Sequence, residues 1–184
     1  MSPLKLLWAL RAIVYKLRFK SVGWLSYMGP PLFLLGASKI VLRDKVRIYP
    51  GARMEAHGKG MITIEDNVSI GQNLHITSKN SNLIVGKNTT ISGNVFITNI
   101  DHDYTEIDKH IMDQDYIVSE TRIGENCFIG YGAGIQAGTI LGKQCVVGAN
   151  SVVRGTFPDY CVIAGIPAKI IKKFNQETKK WERP

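Results

Sequence analysis

From Ile117 onward an aliphatic residue recurs at every sixth position: Ile117, Ile123, Ile129, Ile135, Leu141, Val147 and Val153. An amphipathic helix needs an apolar period near 3.6 and a half-buried strand a period of two. A period of six satisfies neither, but it suits short strands joined by tight turns into a triangular coil, three hexads to a turn. Two further positions keep the same beat. Glycine follows the anchor at Gly124, Gly130, Gly142 and Gly148, and a small residue stands fifth at Thr121, Cys127, Ala133, Thr139, Cys145 and Ser151. The anchors are expected to point inward, with the glycines at corners that need unusual dihedrals. Stacked turns would hydrogen-bond like parallel strands, roughly 4.8 Å apart. No single turn can bury its own core, so such a chain is stable only as a stack.

The same phase runs upstream through Val85, Ile91 and Ile97, and a weaker set begins at Ile64 and Ile70. The two sets differ by half a repeat, and Ser78–Asn82 is the expected corner loop that absorbs the offset. With 184 residues, one domain with appendages is expected, divided into an N-terminal apolar segment (1–38), the coil (39–168) with an extruded loop (99–116), and a basic tail (169–184). Cys127 and Cys145 occupy the same hexad position one turn apart, so they should stack inside as small reduced core residues.

The net charge is +8, and the excess lies at the ends. Lys5, Arg11, Lys16, Arg18 and Lys20 precede any acid, while Lys169, Lys172, Lys173, Lys179, Lys180 and Arg183 close the chain. Such termini suit an anionic lipid surface or a phosphorylated ligand. Aromatic residues do not interleave with the basic ones in a nucleic-acid-binding motif, which argues against that partner. Leu6, Leu7, Leu10, Ile13, Val14 and Leu17 recur at helical spacing, the pattern of a basic amphipathic helix. Residues 1–20 would then either touch a membrane surface or pack on the coil. Three cysteines without metal-ligand spacing, and basic residues interrupting the N-terminal apolar run, lead us to expect a cytoplasmic protein, peripheral on the inner membrane face if the helix binds lipid.

The hexads, the interruption NIDHDYTEID at Asn99–Asp108, the run IGENCFIGYGAGI and the ending CVIAGIPAKIIKKF together resemble the hexapeptide acyltransferases, in the branch that O-acetylates sugars. The resemblance spans about Ile62 to Lys173. It implies an all-β fold, a single-stranded left-handed parallel β-helix, to which an N-terminal amphipathic helix and a short C-terminal helical tail are added. Left-handedness runs against the usual crossover rule and comes from the resemblance alone. The resemblance further implies acetyl-CoA as donor with no metal requirement, a homotrimer with sites between subunits, and a sugar or lipid-linked glycan acceptor in polysaccharide biosynthesis. It equates His102 with the catalytic histidine. It puts Tyr131 and Ala149 along the pantetheine groove, and Arg154, Lys169 and Lys172 where the family binds its donor. Tyr131 stands where a small residue is common, Phe128 where Trp is common, and Gly155 replaces a usual lysine.

The chemistry agrees independently. Transfer of an acetyl group to a hydroxyl needs a base for the hydroxyl proton, and histidine titrates near neutrality. Asp101, Asp103, Glu106 or Asp108 could orient its other ring nitrogen. The lack of a nucleophile elbow favours direct transfer over an acyl-enzyme. His110 is the lesser candidate for the base, and His75 is expected to be structural or to line the acceptor side. Two other readings share the fold: N-acetylation of a nucleotide amino sugar, and a γ-carbonic-anhydrase-like metal enzyme or scaffold. A zinc site would need three converging histidines.

Overall fold

The computed structural model describes residues 3–184, with side chains from Leu6 onward. Its body is a parallel β-solenoid of three sheets, with seven, nine and six strands, plus a two-stranded ribbon in the extruded loop. Along each sheet, strands from successive turns pair in parallel and in register: Leu42 with Ile64, Ile64 with Val85, Val85 with Ile123 and Ile123 with Leu141. The anchors therefore stack in vertical columns, and Ile62, Ile64, Ile70, Ile76, Ile97, Ile123, Ile129 and Ile135 are wholly buried.

Two sides of every turn take one hexad each, as in Leu42–Ile48–Met54 and Ile123–Ile129–Ile135. The third side is elastic. It takes eight residues from Leu34 to Leu42, ten from Met54 to Ile64, nine from Ile76 to Val85, twenty-six from Ile97 to Ile123, six from Ile135 to Leu141 and four from Val153 to Phe157. Nine in place of six is the half-repeat offset, and Ser78–Asn82 lies within that side as expected. Every insertion, the extruded loop included, leaves at this one corner.

The hexad glycines do a different job from the one expected. Gly124, Gly130, Gly142 and Gly148 have ordinary dihedrals; the left-handed corner positions belong chiefly to Asn67, Asn73, Asn88, Asn94, Asn126 and Asn150. These asparagines stack as well, Asn67 Nδ2 donating to Asn88 Oδ1 and Asn73 Nδ2 to Asn94 Oδ1, each at 2.9 Å. Glycine follows the anchor because the next turn lies too close for a side chain. A Cβ on Gly124 would sit 2.3 Å from the Gly142 carbonyl oxygen, and one on Gly130 2.6 Å from the Ala149 nitrogen. The small fifth residues close the corners from inside: Thr139 Oγ1 donates to Val153 O (2.9 Å), and Thr121 Oγ1 accepts from Gly138 N (3.1 Å). Cys127, Cys145 and Cys161 form the corresponding column at the next corner as buried free thiols, Cys145 and Cys161 with their sulfurs 3.5 Å apart.

Both ends depart from expectation. The coil starts at Ser21–Val22, which pairs in parallel with Ile40–Leu42, so residues 21–38 form its first turn rather than a separate segment. Irregular spacing hides this turn in the sequence. The helix α1 (Pro3–Tyr15) lies beside it, burying Trp8 and Ala12, with Trp8 edge-on to Tyr49 at 5.7 Å and near Tyr27. Phe19 then plugs the open end of the core. Leu6, Leu7, Leu10, Ile13, Val14 and Leu17 remain exposed, so the apolar stripe faces away from the coil; the side chain of Lys5 lies outside the described residues. The tail is not helical. Ala168–Asn175 turns back antiparallel on Cys161–Gly165, and Lys180–Glu182 adds a further strand. The last turn leaves an unpaired sheet edge, and backbone pairing along that edge satisfies groups that a helix would leave open.

The two kinds of glycine predict different sensitivities. Gly124→Ala, driven against backbone, should lower unfolding free energy by about 1–3 kcal/mol in urea titration. Gly134→Ala, whose Cβ would meet nothing within 4 Å, should change it by less than about 0.5 kcal/mol.

Candidate active site

The extruded loop leaves the coil at Asn99, which is fully buried. Its amide donates to Lys79 O (3.1 Å) and Ser81 Oγ (2.8 Å), and its Oδ1 accepts from Lys79 N (2.8 Å). Asn99 thus replaces the missing turn above with side-chain hydrogen bonds. Ile100–His102 then pairs antiparallel with Tyr116–Val118, His102 directly opposite Tyr116. The buried Gln114 ties the loop together, bonding Glu106 N and O and Lys109 O at 3.0–3.1 Å. His102 is therefore held on a short ribbon rather than a slack loop, its ring 4.6 Å from that of Tyr116. Lys79 lies over the other ring of this pair, its Nζ 3.7 Å from the Tyr116 centroid.

Under the ribbon is a cleft of about 280 Å³, floored by the outward face of the third sheet and lined by Arg53, Glu55, His57, His75, Phe96 and His102 among others. Side chains alternate along a strand, so Arg53, Glu55 and His57 share one face of Arg53–His57 while Met54 and Ala56 enter the core. Stacking then adds the next turn: His75 pairs with Arg53 and Thr77 with Glu55.

Glu55 is the hub of this floor. It accepts from Arg53 Nε and from His57 Nε2 (3.1 Å), and His75 Nε2 lies 3.5 Å away and 3.2 Å from Thr77 Oγ1. Burial works to raise its pKa, but the hydrogen bonds from Arg53 and His57, with their charges, outweigh it and keep the carboxyl below its usual range. Burial and the Arg53 charge hold His75 below the ordinary histidine value, against the pull of Glu55. None of this cluster except His75 is singled out by the sequence. A carboxylate flanked at i±2 by Arg and His was the available signal, but its burial depends on a strand face that the irregular upstream repeat conceals.

The residues marked by sequence fall into two groups. His102 lines the cleft, and its Nδ1 is buried without a hydrogen-bond partner in the chain. The candidate orienting acids are engaged elsewhere: Asp101 with Arg154 (3.0 Å), Asp103 with Thr105, Glu106 with Lys109. Asp108 occupies a left-handed turn position. Arg154 thus anchors the strand that carries His102. His110 lies away from the cleft lining, its Nδ1 accepting from Met112 N as the cap of a short turn. Tyr131 and Ala149 stack at a different corner, one turn apart, with Tyr131 OH accepting from Asn94 Nδ2. Lys169 and Lys172 stand on the returning strand, opposite Ala164 and Val162, and Ala164 stacks on Gly148 beside Ala149. Tyr131, Ala149 and Lys169 therefore follow one corner, while Arg154 belongs to the histidine side. Among the described residues no set of His, Cys, Asp and Glu side chains has the arrangement of a metal site.

Residues 120–154 match the family model of the hexapeptide repeat of succinyl-transferase. The putative lipopolysaccharide biosynthesis O-acetyl transferase WbbJ of Escherichia coli is 43% identical over 163 residues, covering 83% of this chain and 81% of that protein. The N-acyltransferase AntD from Bacillus cereus, solved with dTDP and 3-hydroxybutyryl-CoA, aligns at a TM-score of 0.76 and 17% identity over 91% of this chain and 90% of its own. A galactoside acetyltransferase solved with coenzyme A aligns at 0.68 and 23% identity over 100% of this chain and 78% of its own. The coil is thus a left-handed parallel β-helix of the acyltransferase kind. The chain belongs to the hexapeptide-repeat acyltransferases, in their sugar O-acetyltransferase branch.

The cleft's charges set a pH dependence. His75 is depressed below its unfolded value, so the unfolded chain protonates first and stability falls as pH drops below about 6.5. Glu55 is also depressed, so its contribution is present above about 4.5 and is lost as pH falls through its lower folded value. Urea unfolding across pH 4–8 should show the first decline in the native protein, and His75→Gln should flatten it.

Proposed function

We propose that this protein transfers the acetyl group of acetyl-CoA to a hydroxyl of a sugar, a precursor of a cell-surface polysaccharide, with His102 as general base. The observation that carries this reading is the placement of His102. The one long break in the repeat suspends it, on a hydrogen-bonded ribbon, over a polar cleft. His102 accepts the hydroxyl proton as the acceptor oxygen bonds to the thioester carbonyl, and returns it to the sulfur as the carbon–sulfur bond breaks. Arg154, through Asp101, fixes the strand on which the imidazole rides. The hydroxyls of Thr77, Thr98 and Tyr116 in the cleft lining would hold the sugar ring, as is usual for polar recognition in a partly apolar pocket.

The donor is proposed to lie along the Tyr131–Ala149 corner, with Lys169 and Lys172 meeting its phosphates and Arg154 near the acyl end. The unpartnered buried Nδ1 of His102 supports an assembly in which a neighbouring copy completes the site, and a trimer is the proposed form. His102→Ala should reduce kcat by about 10²–10⁴-fold while coenzyme A binding survives. Thiol release with a panel of sugars, nucleotide amino sugars among them, together with calorimetry of coenzyme A binding, checks both halves. Full turnover in the variant refutes the base.

Membrane contact through residues 1–20, on the cytoplasmic face, is part of the same proposal. The exposed stripe of α1, Leu17 at 90% exposure, and Trp24 at 77% supply an apolar surface, and the chain has no acid before Asp44. Among the described residues no helix is long and apolar enough to cross a membrane. Because Trp8 and Phe19 are packed, the sound test is Leu10→Glu with Ile13→Glu rather than a deletion. The pair should abolish sedimentation with vesicles of anionic lipid, and unchanged sedimentation excludes the contact.

A further inference from the structure

The cleft floor gathers basic side chains that a neutral sugar does not use. Arg53, His57 and His75 converge on it from two adjacent turns, against the single carboxylate of Glu55. That carboxylate is already engaged by Arg53 Nε, His57 and His75. Pairing through Nε leaves the two terminal nitrogens of Arg53, a half-exposed side chain, free for a ligand. A planar guanidinium held by a carboxylate behind it is pre-organised to bind an anion in front.

The turn before the floor has the opposite character. Phe33 is in register with Arg53 and Leu35 with Glu55, so these columns change from apolar to charged in one step of the stack. The Arg53 guanidinium lies 5.5 Å from the centre of the Phe33 ring. Leu32, Phe33 and Leu35 are all exposed, and no acid lies within this turn or the helix before it. One face of the coil therefore presents, in order along its axis, an apolar step, a fixed guanidinium, an imidazole-lined floor and His102.

We propose that the acceptor is a sugar carried on a phosphate or pyrophosphate. Arg53 binds the phosphoryl linker as a specificity-determining residue, and Phe33 with Leu32 and Leu35 receives an apolar chain attached beyond it. The inference deepens the acetyl-transfer reading and rests on it for the role of His102, but not for the anion site. A nucleotide and a lipid could both supply the phosphoryl group, and the apolar step distinguishes them.

The test is calorimetric titration of full-length protein saturated with coenzyme A, so that the donor's own phosphate site is filled. The probes are inorganic pyrophosphate, UDP, farnesol and farnesyl diphosphate. Farnesyl diphosphate should bind at least tenfold more tightly than farnesol, pyrophosphate or UDP. Arg53→Gln should lose at least tenfold for both pyrophosphate and farnesyl diphosphate, while Phe33→Ala should weaken only the farnesyl compound. Coenzyme A affinity, read first on each variant, reports that the fold is intact. Equal binding of farnesol and farnesyl diphosphate, or unchanged diphosphate binding in both Arg53→Gln and Arg53→Ala, overturns the proposal. UDP binding that matches or exceeds farnesyl diphosphate overturns the apolar-chain part. Acetyl transfer retained in His102→Ala, with diphosphate binding lost in Arg53→Gln, would instead count against the role of His102 alone, so the two readings fail separately.

Discussion

Everything in this molecule depends on one turn lying directly on the next at the spacing of a hydrogen-bonded sheet. That spacing is why a Cβ on Gly124 or Gly142 would strike the neighbouring turn, and why asparagine, which tolerates a left-handed backbone and can bond to its own copy above, fills the corners. It also makes the interior a set of columns, so each buried isoleucine is packed largely by the equivalents one turn before and after. Side chains on the outer faces inherit the same order. Arg53 with His75, and Glu55 with Thr77, are neighbours because the backbone is stacked, not because a loop has gathered them.

The site follows from a division of labour between the sides of the triangle. Two sides keep six residues in every turn and maintain register, while the third varies from four to twenty-six. The loop carrying His102 is the extreme case, and it leaves from the corner beside the outward face that carries Arg53, Glu55 and His57. Asn99 and Gln114 then convert a long insertion into a fixed platform by supplying the hydrogen bonds that an interrupted stack lacks. The proposed base would serve poorly on a mobile loop; a ribbon paired from Ile100 to Val118 confines His102.

How much of this was legible in the sequence depended on how local the cause was. The downstream turns repeat at six because all three sides are hexads there, so the fold could be read directly from Ile123 to Val153; Ile117 keeps the phase but was misread as an inward anchor, since it lies exposed on the ribbon that carries His102. Upstream the elastic side spoils the count, and the first turn at residues 21–38 passed for a separate segment. His102 was visible as the content of the break. Glu55 was not, since its burial depends on a strand face the irregular upstream repeat conceals, and one of its three basic partners, His75, comes from the next turn, twenty residues on. The glycines were seen but misread, because a close approach and an unusual dihedral call for the same residue. The tail looked helical for want of any sign that an open sheet edge was waiting for it.

That edge has a meaning of its own. A solenoid has no intrinsic last turn, and each copy ends on a surface that another copy's first turn could extend, as a fibre grows. Here one end is stoppered by Phe19 beneath the helix. At the other, one sheet is finished by a strand running backwards, whose outermost neighbour carries Lys180 and Glu182. Reversal breaks the parallel pattern, and charge discourages its resumption. The tail thus closes this edge of the stack to further turns, just beyond those that build one site.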